Sequence, residues 1–371
     1  MKIKKQRAAI FLLLLFLLIG FPVPVWSETE SESESEMEFP EISAQSAIVM
    51  EMNSGKILYE KNGKQKVYPA STTKILTALL AIENGYLDEK IKVPSEASGV
   101  EGSSIFLETG EKISLRDLVY GLMLRSGNDA AIAISGVIAK SPEQFVKLMN
   151  KRAKEIGAND TNFVNPNGLF DKNHYTTAYD MALIAREAMK NPQFKKVVGS
   201  KSWKADRGEG KYNHFYNKNK VIFEYPGGSG IKIGYTKASG RTLVASSERD
   251  GMELICVVMN APNWFQDSYK LMDYIYENYK VVKVASAHRI LKTVFVKKGD
   301  KDFVLVGPKE DILCPVPKEE DCSISLRYVL PDKVKAPISR WQEAGLLQLF
   351  IDGECVCAQS LYYLEDIDNI Y

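Results

Sequence analysis

Ser71 and Lys74 stand three positions apart in "PASTTKILTAL", residues 69–79, at the start of a run rich in Leu and Ala. On a helix that spacing puts both side chains on one face of the first turn. A serine hydroxyl is a weak nucleophile unless a base lies within hydrogen-bond reach, and an unprotonated Lys74 would serve. Lysine ordinarily titrates near ~10.4, so such a base needs burial and a neighbouring cation to work near neutrality. Two other fragments offer complementary groups. Ser126-Gly127-Asn128 in "LRSGNDAA" supplies a hydroxyl and an amide, and Lys232-Ile233-Gly234 in "GSGIKIGYT" supplies a cation on a strand-like run beside a glycine.

These fragments need elements to bring them together. "SAIVMEMNSGKILYEKNG" reads as two strands around an Asn53-Ser54-Gly55 turn, and the helix opening at Ser71 closes at Gly85. Ser114 and Asp117 mark a capped helix start, Ser141-Pro142-Glu143-Gln144 marks another, and residues 176–191 read as a further helix. Strand patterns return in "KVIFEY", "GIKIGYT", "RTLVASSER" and "MELICVVMN", followed by a long helix over 264–284. A hairpin first, helices in the middle and strands last predict an α+β antiparallel sheet whose two ends of chain pair, because strands and helices do not alternate as a parallel sheet requires. From residue 285 to 371 short β-branched stretches separated by Gly, Pro and charge predict a small all-β domain.

Composition narrows the class. With 45% hydrophobic and 26% charged residues the 371-residue chain is globular, and a net charge of +1 gives no hint of a nucleic-acid partner. Lys2, Lys4, Lys5 and Arg7 precede an apolar run from Ala8 to Gly20, with small residues for cleavage after Ser27. This predicts a signal peptide over 1–27, export to the extracellular, cell-wall side, and membrane attachment only if that segment is retained. "ETESESESEM" predicts a solvated acidic spacer over 28–39, ahead of a catalytic domain over 40–284. The acidic end "LYYLEDIDNIY" gives no basic amphipathic face for a C-terminal anchor. Five cysteines cannot all pair within one chain. Buried or free thiols are expected, with Cys355 and Cys357 on one face of a strand, and neither a metal site nor a cofactor is expected. His174, His214 and His288 are scattered and form no triad, and Arg125 and Asp129 read as charges that hold the fold.

Chain order and context, S-x-x-K at a helix start, S-x-N between helices and K-x-G on a strand, match the active-site serine acyltransferases that interact with penicillin. Together with "NFVNPNGL", "HYTTAYDMALIAR" and "VKAPISRWQEAGLLQLFIDGE", the chain resembles the D-alanyl-D-alanine carboxypeptidases, the low-molecular-mass penicillin-binding proteins, over nearly all of its exported length. The resemblance implies that Ser71 attacks the bond between two D-alanines of a peptidoglycan stem peptide, with Lys74 as base and β-lactams as covalent inhibitors. It implies that Ser126 relays a proton, that Asn128 holds the substrate amide, and that Lys232 supplies positive field. The backbone N–H groups of Ser71 and Tyr235, beside Gly234, would hold the oxyanion. Ile233 departs from the family pattern, which has a hydroxyl residue there to bind the substrate carboxylate, and Thr236 is the expected stand-in. A β-lactamase or DD-endopeptidase of the same fold, or a catalytically silent wall-binding module, are the alternatives.

Overall fold

The computed structural model describes residues 39–318 and 323–370, so the expected signal peptide, the acidic run 28–37 and Cys322 lie outside the described residues. The opening hairpin forms as its turn chemistry dictates. β1 (Ser46–Glu51) and β2 (Ile57–Lys61) pair antiparallel, and Gly55 adopts φ +75°, a conformation with little penalty only for glycine. The buried Glu51 carboxylate accepts from the backbone N–H groups of Asn53 and Ser54 at 3.0 and 2.7 Å, which fixes the turn.

Helices then accumulate. α1 (Lys74–Asn84) is buried from Lys74 to Ala81, as a helix apolar on all sides must be. β3 (Lys90–Lys92) and β4 (Lys112–Ser114) make a small ribbon that leads into α2 (Leu115–Leu124), α3 (Asn128–Ala139), α4 (Pro142–Ile156), α5 (Ala178–Met189) and α6 (Pro192–Val198). The starts are capped by side chains: Ser114 Oγ accepts from Asp117 N at 3.0 Å, Ser141 Oγ from Gln144 N at 3.3 Å, and Thr177 Oγ1 from Asp180 N at 3.0 Å. A second ribbon, β5 (Ser202–Lys204) with β6 (His214–Tyr216), precedes α7 (Val221–Glu224).

α7 corrects the strand expected for "KVIFEY". Asn219 Oδ1 accepts from Val221 N at 3.1 Å and Lys220 pairs with Glu224 at 3.1 Å one turn on. Local capping there outweighs the β preference of Val and Ile.

β7 (Gly228–Thr236), β8 (Gly240–Arg249) and β9 (Met252–Met259) complete one antiparallel sheet in the order β2-β1-β9-β8-β7. The first strand thus pairs with the last, and β7 is left at an edge. Both faces are buried. Ile48, Met50, Val244, Ile255 and Val257 face the helical cluster, while Ala47, Val49, Leu243, Ala245 and Val258 face α8 (Trp264–Asn278). Alternate residues of each strand therefore feed two separate cores.

α8 stops at Asn278 rather than at 284. The next seven residues are β10 (Tyr279–Ala285), whose β-branched run pairs antiparallel with a later strand. There follow β11 (Lys292–Lys297), β12 (Phe303–Gly307), β13 (Ile312–Pro317), β14 (Ile324–Val329), β15 (Lys333–Lys335), β16 (Glu343–Ile351) and β17 (Glu354–Tyr363). β10 and β13 form one ribbon, and the others form a six-stranded sheet in the order β14-β16-β17-β12-β11-β15. This all-β region is the one expected from the sequence. The facing positions of Cys355 and Cys357 are not. A register shift between β16 and β17 pairs Leu349 with Cys357 and Phe350 with Cys355, leaving Val356 as an extra residue; Cys355 turns out to solvent and Cys357 inward. Among the described residues no helix is long and apolar enough to cross a membrane.

Asp129 shows how the fold serves the site. Its carboxylate at the start of α3 accepts from Ser104 Oγ at 2.5 Å and from the N–H groups of Ile105 and Leu107 at 3.0 and 3.1 Å, so it holds the loop before β4 against the helix. Removing it orphans buried N–H groups. Asp129→Ala is expected to lose about 3 kcal/mol of stability, measured as a lower urea midpoint at unchanged slope.

Candidate active site

Ser71 sits not in α1 itself but in a 3-10 turn, Ala70–Thr73, that precedes it. The turn is held at both ends. Pro69 O accepts from Thr72 Oγ1 at 2.7 Å and from Thr242 Oγ1 of β8 at 3.2 Å, which ties the Ser71 turn to the sheet. Ala70 adopts φ +48°, a strained backbone of the kind that functional turns retain.

The amine of Lys74 is the centre of the site. Lys74 is fully buried, and its Nζ reaches Ser71 Oγ at 3.0 Å, Asn128 Oδ1 at 2.7 Å and the carbonyl oxygen of Asn167. Two of these partners are carbonyl oxygens that can only accept. A neutral amine has two N–H donors and one lone pair, so donating to Asn128 and Asn167 leaves the lone pair facing the Ser71 hydroxyl. Burial, then the positive charge of Lys232 and Lys218, hold Lys74 well below the ordinary lysine range, while Asp129 acts in the opposite sense. Lys232 is itself buried. Its burial and the charge of Lys218 bring it down to about 7, and its Nζ donates to Ile233 O at 2.8 Å.

The other expected residues gather round this pair. Ser126 and Asn128 lie in and after the loop joining α2 to α3, with Ser126 at φ +64°. Asn128 Nδ2 donates to Glu101 O at 2.5 Å, so its amide oxygen is directed at Lys74. Among the described residues the hydrogen bonds of Lys74 go to Ser71, Asn128 and Asn167, and none goes to Ser126. Lys232, Gly234 and Thr236 share one face of the edge strand β7. A Cβ on Gly234 would lie 2.5 Å from Thr242 Oγ1 and 2.9 Å from Ser71 N. Only glycine lets the strand approach the Ser71 N–H this closely. Tyr235 follows, its ring largely exposed. Ile233 turns the other way and packs, half buried, against the cluster under α8. The Thr236 hydroxyl is engaged with Ser239: Oγ1 donates to Ser239 Oγ at 2.9 Å and accepts from Ser239 N at 3.0 Å.

Three contributors were not singled out from the sequence. Asn167 and Gly168 form one wall of the site: Gly168 adopts φ +84°, and a Cβ there would fall 1.9 Å from Ala70 O. Their turn is built by Asn165, whose Oδ1 accepts from Gly168 N at 2.7 Å and whose Nδ2 donates to Leu169 O at 2.9 Å. The Asn-Pro-Asn-Gly run was the available signal. Lys218 is the third, and an exposed lysine carries no sequence mark of its electrostatic reach. His174 holds the same wall: Nδ1 accepts from Val164 N at 3.1 Å, which leaves Nε2–H to donate to Thr73 Oγ1 at 2.8 Å. Burial holds it down to about 4, so it stays neutral.

A serine, a buried amine and a glycine-bearing edge strand, set between a helical cluster and an antiparallel sheet, define the penicillin-binding fold with a serine-peptidase site. Residues 31–263 match the D-alanyl-D-alanine carboxypeptidase profile, and residues 279–369 match the penicillin-binding protein 5 C-terminal domain. The D-alanyl-D-alanine carboxypeptidase DacF of Bacillus subtilis is 35% identical over 333 residues, 87% of this chain and 86% of that protein. Penicillin binding protein 5 from Haemophilus influenzae superposes with a TM-score of 0.75 at 30% identity, covering 90% of this chain and 99% of that one. A peptidoglycan synthesis regulatory factor (PBP3) from Streptococcus pneumoniae gives 0.71 at 26% identity over 89% of this chain and 100% of its own. The chain belongs to the D-alanyl-D-alanine carboxypeptidase family.

Two outcomes test the site. Gly234→Ala displaces β7 from Ser71 N and is expected to lower the rate of penicillin acylation about 100-fold or more, read with a fluorescent penicillin, while circular dichroism stays native. Lys218→Gln removes a positive neighbour, so the protonated form of Lys74 becomes less costly and its pKa rises. The acid limb of the acylation pH profile is expected to move to higher pH.

Proposed function

We propose that the exported chain is a serine carboxypeptidase that removes the terminal D-alanine from peptidoglycan stem pentapeptides. The observation that carries this reading is the buried Lys74 amine 3.0 Å from Ser71 Oγ, held there by Asn128 and Asn167. Ser71 Oγ attacks the carbonyl between the two D-alanines and gives its proton to Lys74. The oxyanion rests on the N–H groups of Ser71 and Tyr235. The proton passes to the leaving D-alanine amine with Ser126 as relay, and Asn128 both orients Lys74 and borders the substrate amide. An ester on Ser71 remains, which water hydrolyses with Lys74 again taking a proton. Penicillin enters the same path because its strained amide presents the same carbonyl.

Lys232 and Lys218 supply the positive field that draws the terminal carboxylate. Ile233 offers no hydrogen bond to it, and the Thr236 hydroxyl serves as stand-in by exchanging its bond to Ser239 for one to the carboxylate. The catalytic unit runs from Pro40 through α8 and the C-terminal β unit follows it. Residues 1–27 direct export and 28–39 act as a spacer, placing the site on the wall side of the membrane.

Purified protein is expected to release D-alanine from diacetyl-L-Lys-D-Ala-D-Ala, and Ser71→Ala to abolish the release while keeping the native fold. Silence of the parent protein toward this peptide, with turnover of benzylpenicillin or cleavage of cross-linked muropeptides in its place, would replace the carboxypeptidase reading with a β-lactamase or endopeptidase. Silence toward all three would leave a wall-binding module. Because position 233 packs under α8, Ile233→Thr is expected to leave kcat/KM within about 2-fold, whereas Thr236→Val is expected to lower it about 10-fold, the worth of one hydrogen bond of ~1.4 kcal/mol.

A further inference from the structure

Away from the active site, two thiols meet where the hairpin turn of the catalytic unit touches the β unit. Cys314 lies on β13 opposite Val282, and Cys357 lies on β17 opposite Leu349. The strands belong to different sheets, yet both residues are buried in one small cluster with Val316, Leu349 and Ile351. Within that cluster each thiol is the main influence on the other's titration. The extra residue Val356 in β17 is what directs Cys357 inward.

We propose that Cys314 and Cys357 are a dithiol–disulfide couple that staples β13 to β17, oxidised by exchange with a low-molecular-mass disulfide of the glutathione or cystine type. Cys357 is the attacking thiol. Gln359 Nε2 donates to its sulfur at 3.9 Å, and the half-buried Lys56 ammonium from the hairpin turn acts on both sulfurs. Cys357 is the more accessible of the two, and the neighbouring Cys314 holds its thiol below the ordinary range while Cys314 itself is raised. Nucleophile and resolving partner are thus distinct.

The exchange balances in two steps. The Cys357 thiolate attacks one sulfur of the small disulfide, whose S–S bond breaks and releases one thiolate that takes up the proton from Cys357. The Cys314 sulfur, giving its proton to solvent, then attacks the Cys357 sulfur and expels the second small thiol. Two electrons pass from the protein to the small disulfide, and a Cys314–Cys357 bond replaces a mixed one. Cys256 provides an internal contrast: burial in the main core pushes it up to about 12, and it lies in a different cluster from the pair. Gln359 Nε2 also donates to Ser54 O at 3.2 Å, so the couple sits against the hairpin turn and not merely inside the β unit.

The test uses the purified protein, reduced, equilibrated with oxidised glutathione, quenched with iodoacetamide and mapped by tryptic mass spectrometry. A Cys314–Cys357 cross-linked peptide is expected, about 2 Da lighter than the two reduced peptides together. Cys314→Ser is expected to trap Cys357 as a glutathione mixed disulfide, and Lys56→Gln to slow iodoacetamide capture of Cys357. Circular dichroism reports the folded fraction of each variant. A cross-link from Cys357 to Cys355 or Cys322, retention of both thiols in folded protein, or equal alkylation rates for Cys357 and Cys256 would each overturn the proposal. None of these outcomes depends on whether the chain releases D-alanine.

Discussion

A buried amine whose protonated form the surroundings disfavour is the constraint on which the rest of the molecule depends. Lys74 is fully buried, and an ammonium so placed is costly unless neutralised or paired. The fold supplies acceptors for its N–H groups from two distant segments, Asn128 on α3 and Asn167 in the loop before α5. It also places Lys232 and Lys218 where their charge opposes protonation. α1 must then be wrapped on every side, which explains a helix whose first eight residues are all buried.

The same constraint sets the fit around Ser71. A glycine approaches the nucleophile turn from each side, Gly168 against Ala70 and Gly234 against Ser71 N. Side chains at either position would push the walls away from the Ser71 turn. Edge placement of β7 is part of this arrangement, since an interior strand would have no free edge to offer a substrate. Thr242 and Pro69 fasten the turn to β8, and His174, kept neutral by burial, fastens Thr73 to the opposite wall.

The β unit is joined by more than chain connectivity. β10 follows α8 directly, Lys318 Nζ donates to Tyr276 O at 2.7 Å, and Gln359 reaches the carbonyls of the hairpin turn. Apolar packing crosses the seam as well, since Tyr279 and Val281 of β10 pack against the cluster under α8.

Much was legible in the sequence because it is local. Turn residues marked the opening hairpin, Ser and Thr marked the helix starts, and motif order placed Ser71, Lys74, Ser126, Asn128 and Lys232 in one family. Where local signals misled, a neighbour decided: an Asn219 side-chain turn bond to Val221 N led into α7 where β-branched residues suggested a strand, and pairing with β13 took residues 279–285 out of α8. The Val356 bulge reversed the expected facing of Cys355 and Cys357. What only the tertiary structure decided were the partners of the Lys74 amine, the reach of Lys218, the packing of Ile233 under α8 and the clustering of Cys314 with Cys357. The physical reason is separation. Helical and strand periodicities act over a few residues, whereas the contacts that direct the Lys74 lone pair come from 54 and 93 residues away, and no spacing rule spans such distances before the chain has folded.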